Sequence, residues 1–218
     1  MDSNFEMELD LLRQKILLMA SHAEKAVYQS VQSFARRESN LSLDVRQDDA
    51  ILDRLEVEID EMVMLLLIKA PLAGDLRLIP VAMKMSQNLE RIGDEATKIA
   101  KCARSLAGEP ALKVNFDIRT IADTTINMVK DALNAFAHRD SSAARAVIPR
   151  DKEVDALNRS IYQILVRHMT ENPQTIGRCL NWIFAAKSLE RIGDHAKNIA
   201  EAVVYLCEAE DIRHAVNS

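Results

Sequence analysis

The sequence predicts an all-α protein built as two tandem three-helix bundles, related by a pseudo-twofold internal repeat. Three observations predict it. Apolar residues recur at spacings of three and four along most of the chain, the period of a helix with one buried face. Turn and strand formers are scarce: 218 residues contain five Gly, five Pro, five Phe, three Tyr and one Trp, too few for a sheet-rich fold. Finally, a hexapeptide of the first half returns unchanged in the second.

The first helix is written by Leu9, Leu12, Ile16, Met19, Ala23, Val27, Val31 and Phe34, and breaks near Glu38-Ser39-Asn40. The second places Ile51, Leu52, Leu55 and Ile59 on one side and Asp49, Asp53 and Asp60 on the other, with Glu56 beside them. It breaks at Pro71-Leu72-Ala73-Gly74, and the third at Gly108-Glu109-Pro110. Breaks at Arg139-Asp140-Ser141 and Asn172-Pro173 divide the second half in the same way, leaving six segments of about 25 to 35 residues. Pro80 and Pro149 fall inside helical patterns, where the missing backbone donor costs about 3 kcal/mol unless the residue sits in a first turn. Kinks or late helix starts are expected there. Met62, Met64, Met83 and Met85 read as core filler, and Trp182 as an anchor between helices.

Repetition fixes the organisation. Ala35-Arg36-Arg37-Glu38 matches Ala137-His138-Arg139-Asp140, Asp49 and Asp53 match Asp151 and Asp155, and Pro71 matches Pro173, all at an offset of 102. The offset then becomes 100, and Leu89-Glu90-Arg91-Ile92-Gly93-Asp94 returns as Leu189-Glu190-Arg191-Ile192-Gly193-Asp194. Residues 1–108 and 109–218 are therefore expected to be the two repeats. Short links between consecutive long helices favour antiparallel neighbours in a bundle.

A residue advances about 100° along an α-helix, so Glu90 and Asp94 share a face, as do Glu190 and Asp194. That face lies about 160° from Ile192 and is expected to point away from the core. If the second and third helices of each half are neighbours, Asp49, Asp53, Glu90 and Asp94 converge along one outer groove, and Asp151, Asp155, Glu190 and Asp194 along another. Four carboxylates repel one another without a cation, and a hard or borderline divalent or trivalent metal relieves that repulsion. The alternative is a solvated face paired with Lys98, Lys101, Lys187 and Lys197. Gly93 and Gly193, each unfavourable inside a helix, suggest close helix packing. Arg91 and Arg191 are expected to orient carboxylates or pair across the bundle. His195, whose counterpart is Glu95, reads as a surface polar residue before a ligand.

Several function classes are excluded. No glycine-rich phosphate loop occurs, nor any Glu-x-x-His of a ferritin-like oxidase, and no nucleophile setting accompanies the Ser, Cys and His residues. The expectation is that the protein is not an enzyme. Acidic and basic residues, 33 and 28, are mixed without a basic block, which argues against nucleic acid. Cys102, Cys179 and Cys207 are too dispersed for a disulfide framework, and the longest apolar run, Met62 to Ile68, is far short of a membrane span. A cytoplasmic location is expected.

At the two Leu-Glu-Arg-Ile-Gly-Asp motifs, and at Ala73-Gly74-Asp75-Leu76-Arg77-Leu78 before the first, the chain resembles the PhoU family of bacterial phosphate-signalling proteins. The resemblance implies paired three-helix bundles whose acidic motifs bind metal ions, sometimes as multinuclear clusters; Fe, Zn, Mn and Mg are the candidate ions, and the sequence does not choose among them. It also implies a homodimer that restrains phosphate-starvation signalling and phosphate uptake. Its implied partners are the ATP-binding subunit of the phosphate ABC transporter and a phosphate-sensing histidine kinase, with the membrane met only through them. Two departures stand out: Pro80 interrupts apolar helix formers, and Asn158 and Tyr162 replace the acidic Glu56 and Asp60, so the second site is expected to be weaker or differently occupied. Against this regulator stand two other readings, a carboxylate-bridged redox or hydrolytic enzyme and a purely structural helical scaffold.

Overall fold

The computed structural model describes residues 3–36, 41–70 and 76–213, so the breaks near 38–40 and 71–74, the Gly74 region and His214 lie outside the described residues. Helices α1 (Ser3–Arg36), α2 (Leu41–Lys69) and α3 (Leu78–Leu106) pack mutually as one bundle. The second repeat contains α4 (Ile118–His138), α5 (Ser141–Val147), α6 (Asp151–Glu171) and α7 (Ile176–Glu208). Among the described residues there is no strand, and no helix is long and apolar enough to cross a membrane.

The two expected proline effects take different forms. Pro80 is the third residue of α3, in the first turn, where a backbone N–H has no intrahelical acceptor to lose. Pro149 sits in a 3-10 turn, Ile148–Arg150, that separates α5 from α6. Gln47, its counterpart in the first repeat, lies within the unbroken α2. Six segments thus become seven α-helices among the described residues, and α4 and α6, at 21 residues each, are shorter than the periodicity suggests. Other boundaries follow local chemistry. Gly108 turns the chain after α3 with φ +79°. Asp117 caps α4 by accepting the Thr120 N–H at 3.1 Å, and Asp140 caps α5 by accepting the Ala143 N–H at 2.9 Å.

A single hydrophobic core runs through both repeats. Its spine is α3 packed against α7, with Leu89, Ile92, Ala96 and Ile99 of α3 and Leu189, Ile192, Ala196 and Ile199 of α7 all buried. The repeated motifs therefore do two things at once: their apolar sides join the repeats, and their acidic sides are presented to α2 and α6. Met85 fills core as expected, but Met64 is 58% exposed on the outer side of α2. A helix of this amphipathic pattern has room for only one buried stripe, and α2 spends it on Leu52, Leu55, Ile59 and Val63.

Gly93 and Gly193 mark close helix crossings, but unequally. A Cβ on Gly93 would lie 2.4 Å from Leu52 Cδ1, and Leu52 is itself fully buried. On Gly193 the nearest atom would be Val154 Cγ1 at 3.4 Å, an ordinary contact. Gly193→Ala should therefore gain helix propensity and raise stability by about 0.5–1 kcal/mol. Gly93→Ala must repack Leu52 and should instead lower stability by about 1–2 kcal/mol, the overpacking cost less that gain. Urea denaturation of the two variants checks this; equal shifts would show that the crossings are alike.

Candidate metal-binding grooves

In the first repeat, α2 supplies Asp49, Asp53, Glu56 and Asp60 and α3 supplies Glu90 and Asp94, drawn together because Gly93 lets α2 approach the α3 backbone. Burial and repulsion by the neighbouring carboxylates are visible in the proton affinities of three of them, Asp49, Glu56 and Glu90. Burial raises the Asp49 carboxyl above its ordinary range, aided by the charges of Asp53 and Asp94. Glu90 is raised by burial and by Asp94, Glu56 and Asp53, and Glu56 by burial and Asp60, with Arg91 opposing both. Arg91 spans this group: its Nε is 3.3 Å from Glu90 Oε2 and its Nη1 is 3.5 Å from Asp94 Oδ2. This is one of the two roles expected for it.

The second groove brings Asp151 and Asp155 of α6 against Glu190 and Asp194 of α7. Here the expectation of outward-facing carboxylates needs correction, because Asp151 is 6% and Glu190 8% exposed. The wheel of an isolated α7 cannot show that α6 lies across that face, with Val154 seated on Gly193. Asp194 is pushed up to about 6 by burial first, then by Asp151 and Glu190. Lysines neutralise the groove in part: Lys197 Nζ lies 2.8 Å from Asp151 Oδ2 and Lys187 Nζ 2.5 Å from Glu190 Oε2. Asp151 Oδ1 is buried with no hydrogen-bond partner among the described residues.

Among the described residues, no three His, Cys, Asp or Glu side chains already form a shell around one point. What exists is an all-oxygen donor set on adjacent helical turns, in which Asp49, Glu90 and Asp194 are held at raised proton affinity and Asp151 Oδ1 is orphaned. That chemistry fits a hard cation, which would displace the lysines and let the carboxylates close around it. Asp49, Asp53, Glu90 and Asp94 would hold it in one repeat, and Asp151, Asp155, Glu190 and Asp194 in the other.

The pair Glu95 and His195 stands apart from both grooves. His195 is half-buried at the α3–α7 seam with Nδ1 2.9 Å from Asn88 Oδ1, and burial lowers its proton affinity. Glu95 is 4% exposed and accepts from Lys98 at 2.8 Å and from Arg191 at 3.2 Å, tying the two repeats together. Sequence reasoning misses this link, although the Glu95/His195 difference inside an otherwise repeated motif is its signal. Burial raises the Glu95 carboxyl, but hydrogen bonds from Lys98, Ser188 and Arg191 outweigh it and hold it below its ordinary value of 4.5. Ionised Glu95 therefore stabilises the fold above that value, and the contribution is lost as pH falls through the depressed one. Arg191→Ala should cost about 1–2 kcal/mol at pH 7, discounted for the exposure of Arg191, and less in acid. Denaturation at pH 7 and at successively lower pH, down through the depressed value, would measure it; a loss that stays constant across that whole range would show that the ion pair contributes nothing.

Fold and grooves define a class: a two-repeat helical-bundle protein with one carboxylate groove per repeat. The PhoU domain family model matches residues 16–103 and 118–203. The chain belongs to the PhoU family. It is 42% identical over 212 residues to a phosphate-specific transport system accessory protein PhoU homolog of Pseudomonas putida, covering 96% of this chain and 83% of that one. The accessory protein PhoU of Escherichia coli K12 is 33% identical over 211 residues, with 96% and 88% covered. The crystal structure of PhoU from Pseudomonas aeruginosa superposes with a TM-score of 0.90 at 40% identity, covering 94% of this chain and all of that one. A regulatory PhoU from Streptococcus pneumoniae shares the fold, with a TM-score of 0.87 at 22% identity and 95% and 99% covered.

Proposed function

We propose that this protein is a metal-binding, non-catalytic regulator of phosphate-specific transport that restrains phosphate-starvation signalling from the cytoplasm. The observation that carries the metal reading is the pair of grooves in which four carboxylates gather at equivalent positions, with Asp49 and Glu90 in one and Asp194 in the other held at raised proton affinity by burial and by their acidic neighbours. The phosphate reading is supported by near full-length relatives named as accessory proteins of the phosphate-specific transport system. In this reading the ATP-binding subunit of the phosphate ABC transporter and a phosphate-sensing histidine kinase are its partners, and the protein acts as a homodimer. Fe, Zn, Mn and Mg are the candidate ions.

Deleting the protein should leave phosphate-starvation genes expressed in phosphate-rich medium. Complementation with the wild-type chain should restore repression, and Glu90→Ala/Glu190→Ala should not. Normal repression after deletion would sink the regulatory role. Full repression by a variant that no longer takes up metal would separate regulation from the metal and favour a purely structural scaffold.

A further inference from the structure

The two repeats are most alike where α3 meets α7 and differ on the outer faces of α2 and of α6 with α7. At equivalent positions Val57 becomes Arg159, Asp60 becomes Tyr162, Lys84 becomes Phe184 and Gln87 becomes Lys187. In the first repeat, Val57, Met64 and Leu65 are exposed along α2, with Asp60 and Glu61 on the turn between them, around a shallow groove of about 510 Å³. In the second, Tyr162, Ile183 and Phe184 line a groove of about 400 Å³ whose rim carries Arg159 and Lys187. The two surfaces are opposites. One is a helix edge with bulky aliphatic side chains and carboxylates; the other is an aromatic-walled depression with cations.

Their charges are also available. Glu61 and Arg159 are exposed, and neither makes an ion pair among the described residues. Large aliphatic side chains such as Met64 at 58% exposure, Leu65 at 55% and Ile68 at 80%, adjacent on α2, seldom stay in water as a contiguous patch on a free surface. We propose that copies of this chain associate through these unlike faces, the α2 stripe of one copy entering the α6–α7 groove of a second, with Glu61 meeting Arg159. In the proposed homodimer the contact is made twice about a twofold axis, each stripe entering the other copy's groove, and it does not depend on the metal or phosphate readings. The complementarity also sets orientation: a stripe facing a stripe would oppose Glu61 to Glu61, which like charge disfavours.

Sedimentation analysis over a concentration series tests it on the full chain. Wild-type protein should self-associate. Arg159→Glu and Glu61→Lys should each weaken association at least tenfold, with unchanged helical circular dichroism because both sites are exposed. Mixing the two variants in equal amounts should restore association, since every stripe then meets a groove of opposite charge. Tyr162→Ala/Phe184→Ala should weaken association without altering this charge pattern. A wild-type chain that remains monomeric would overturn both the homodimer and its surface. A wild-type dimer indifferent to either reversal, or variants that stay apart on mixing, would overturn the surface alone.

Discussion

Trp182→Ala is expected to destabilise the protein by about 3–5 kcal/mol, well beyond the effect of either glycine substitution or of Arg191→Ala. Trp182, in the second turn of α7, is 8% exposed and meets two rings edge-on: Phe34 at 4.5 Å between centroids and Phe116 at 5.0 Å. Phe34 belongs to the end of α1 and Phe116 to the segment leading into α4, so one indole joins elements from both repeats. Truncation removes the packing of the largest side chain type and leaves a cavity that three elements must collapse to fill. Trp182→Phe keeps a ring against both partners and should lose less than half as much. Because Trp182 is the chain's one tryptophan, its fluorescence follows wild-type unfolding, while the alanine variant must be followed by circular dichroism. Both probes should report the same single transition in the wild type, since the core is continuous across the repeats. A loss below about 1 kcal/mol for the alanine variant would mean that Trp182 packs the surface rather than anchoring the two halves.

Much of this is legible in the sequence, and the parts that are not share a cause. Period is a property of a single helix and repetition a property of the chain itself, so they reveal the two repeats, the apolar stripes and the sharing of a face by Glu90 with Asp94 and by Glu190 with Asp194. Burial depends on the neighbour. Asp151 and Glu190 are buried because α6 crosses α7 at Gly193, and the wheel of either helix alone predicts exposure. Met64 fails in the opposite sense: its hydrophobicity suggests core, yet among the described residues no helix covers that side of α2. Glu95 and Arg191 are separated by almost the length of one repeat, so only the packing of α3 on α7 makes them partners. Pro149 marks its break correctly, but whether α5 and α6 bend or separate depends on the 3-10 turn between them.

Asp194→Asn should have opposite effects on the metal-free and metal-loaded protein. The carboxyl is raised from 3.8 to about 6, so its ionised form is disfavoured in the fold. For an acid shifted upward, the folded state gains while the group is protonated; stability of the metal-free chain therefore falls as pH rises from about 4 through 6 and levels off above. Asparagine carries no proton to lose. Metal-free Asp194→Asn should be more stable than wild type at pH 7.5 and should lose that advantage near pH 4. A bound cation reverses the sign, because it takes the ionised carboxylates and releases their protons, adding about 2.7 kcal/mol at a hundredfold excess over its dissociation constant. Wild-type protein should gain this at pH 7.5 and progressively less as pH falls through 6. The variant should bind less metal per chain, and adding Glu90→Gln/Asp94→Asn should abolish binding, because the first groove is then neutralised too. Denaturation with chelator or with Mn at several pH values, alongside metal analysis of each variant, separates these outcomes. Should the metal stabilise Asp194→Asn as strongly as wild type, with unchanged ions per chain, the α6–α7 carboxylates would be a solvated and lysine-paired cleft rather than a cation site.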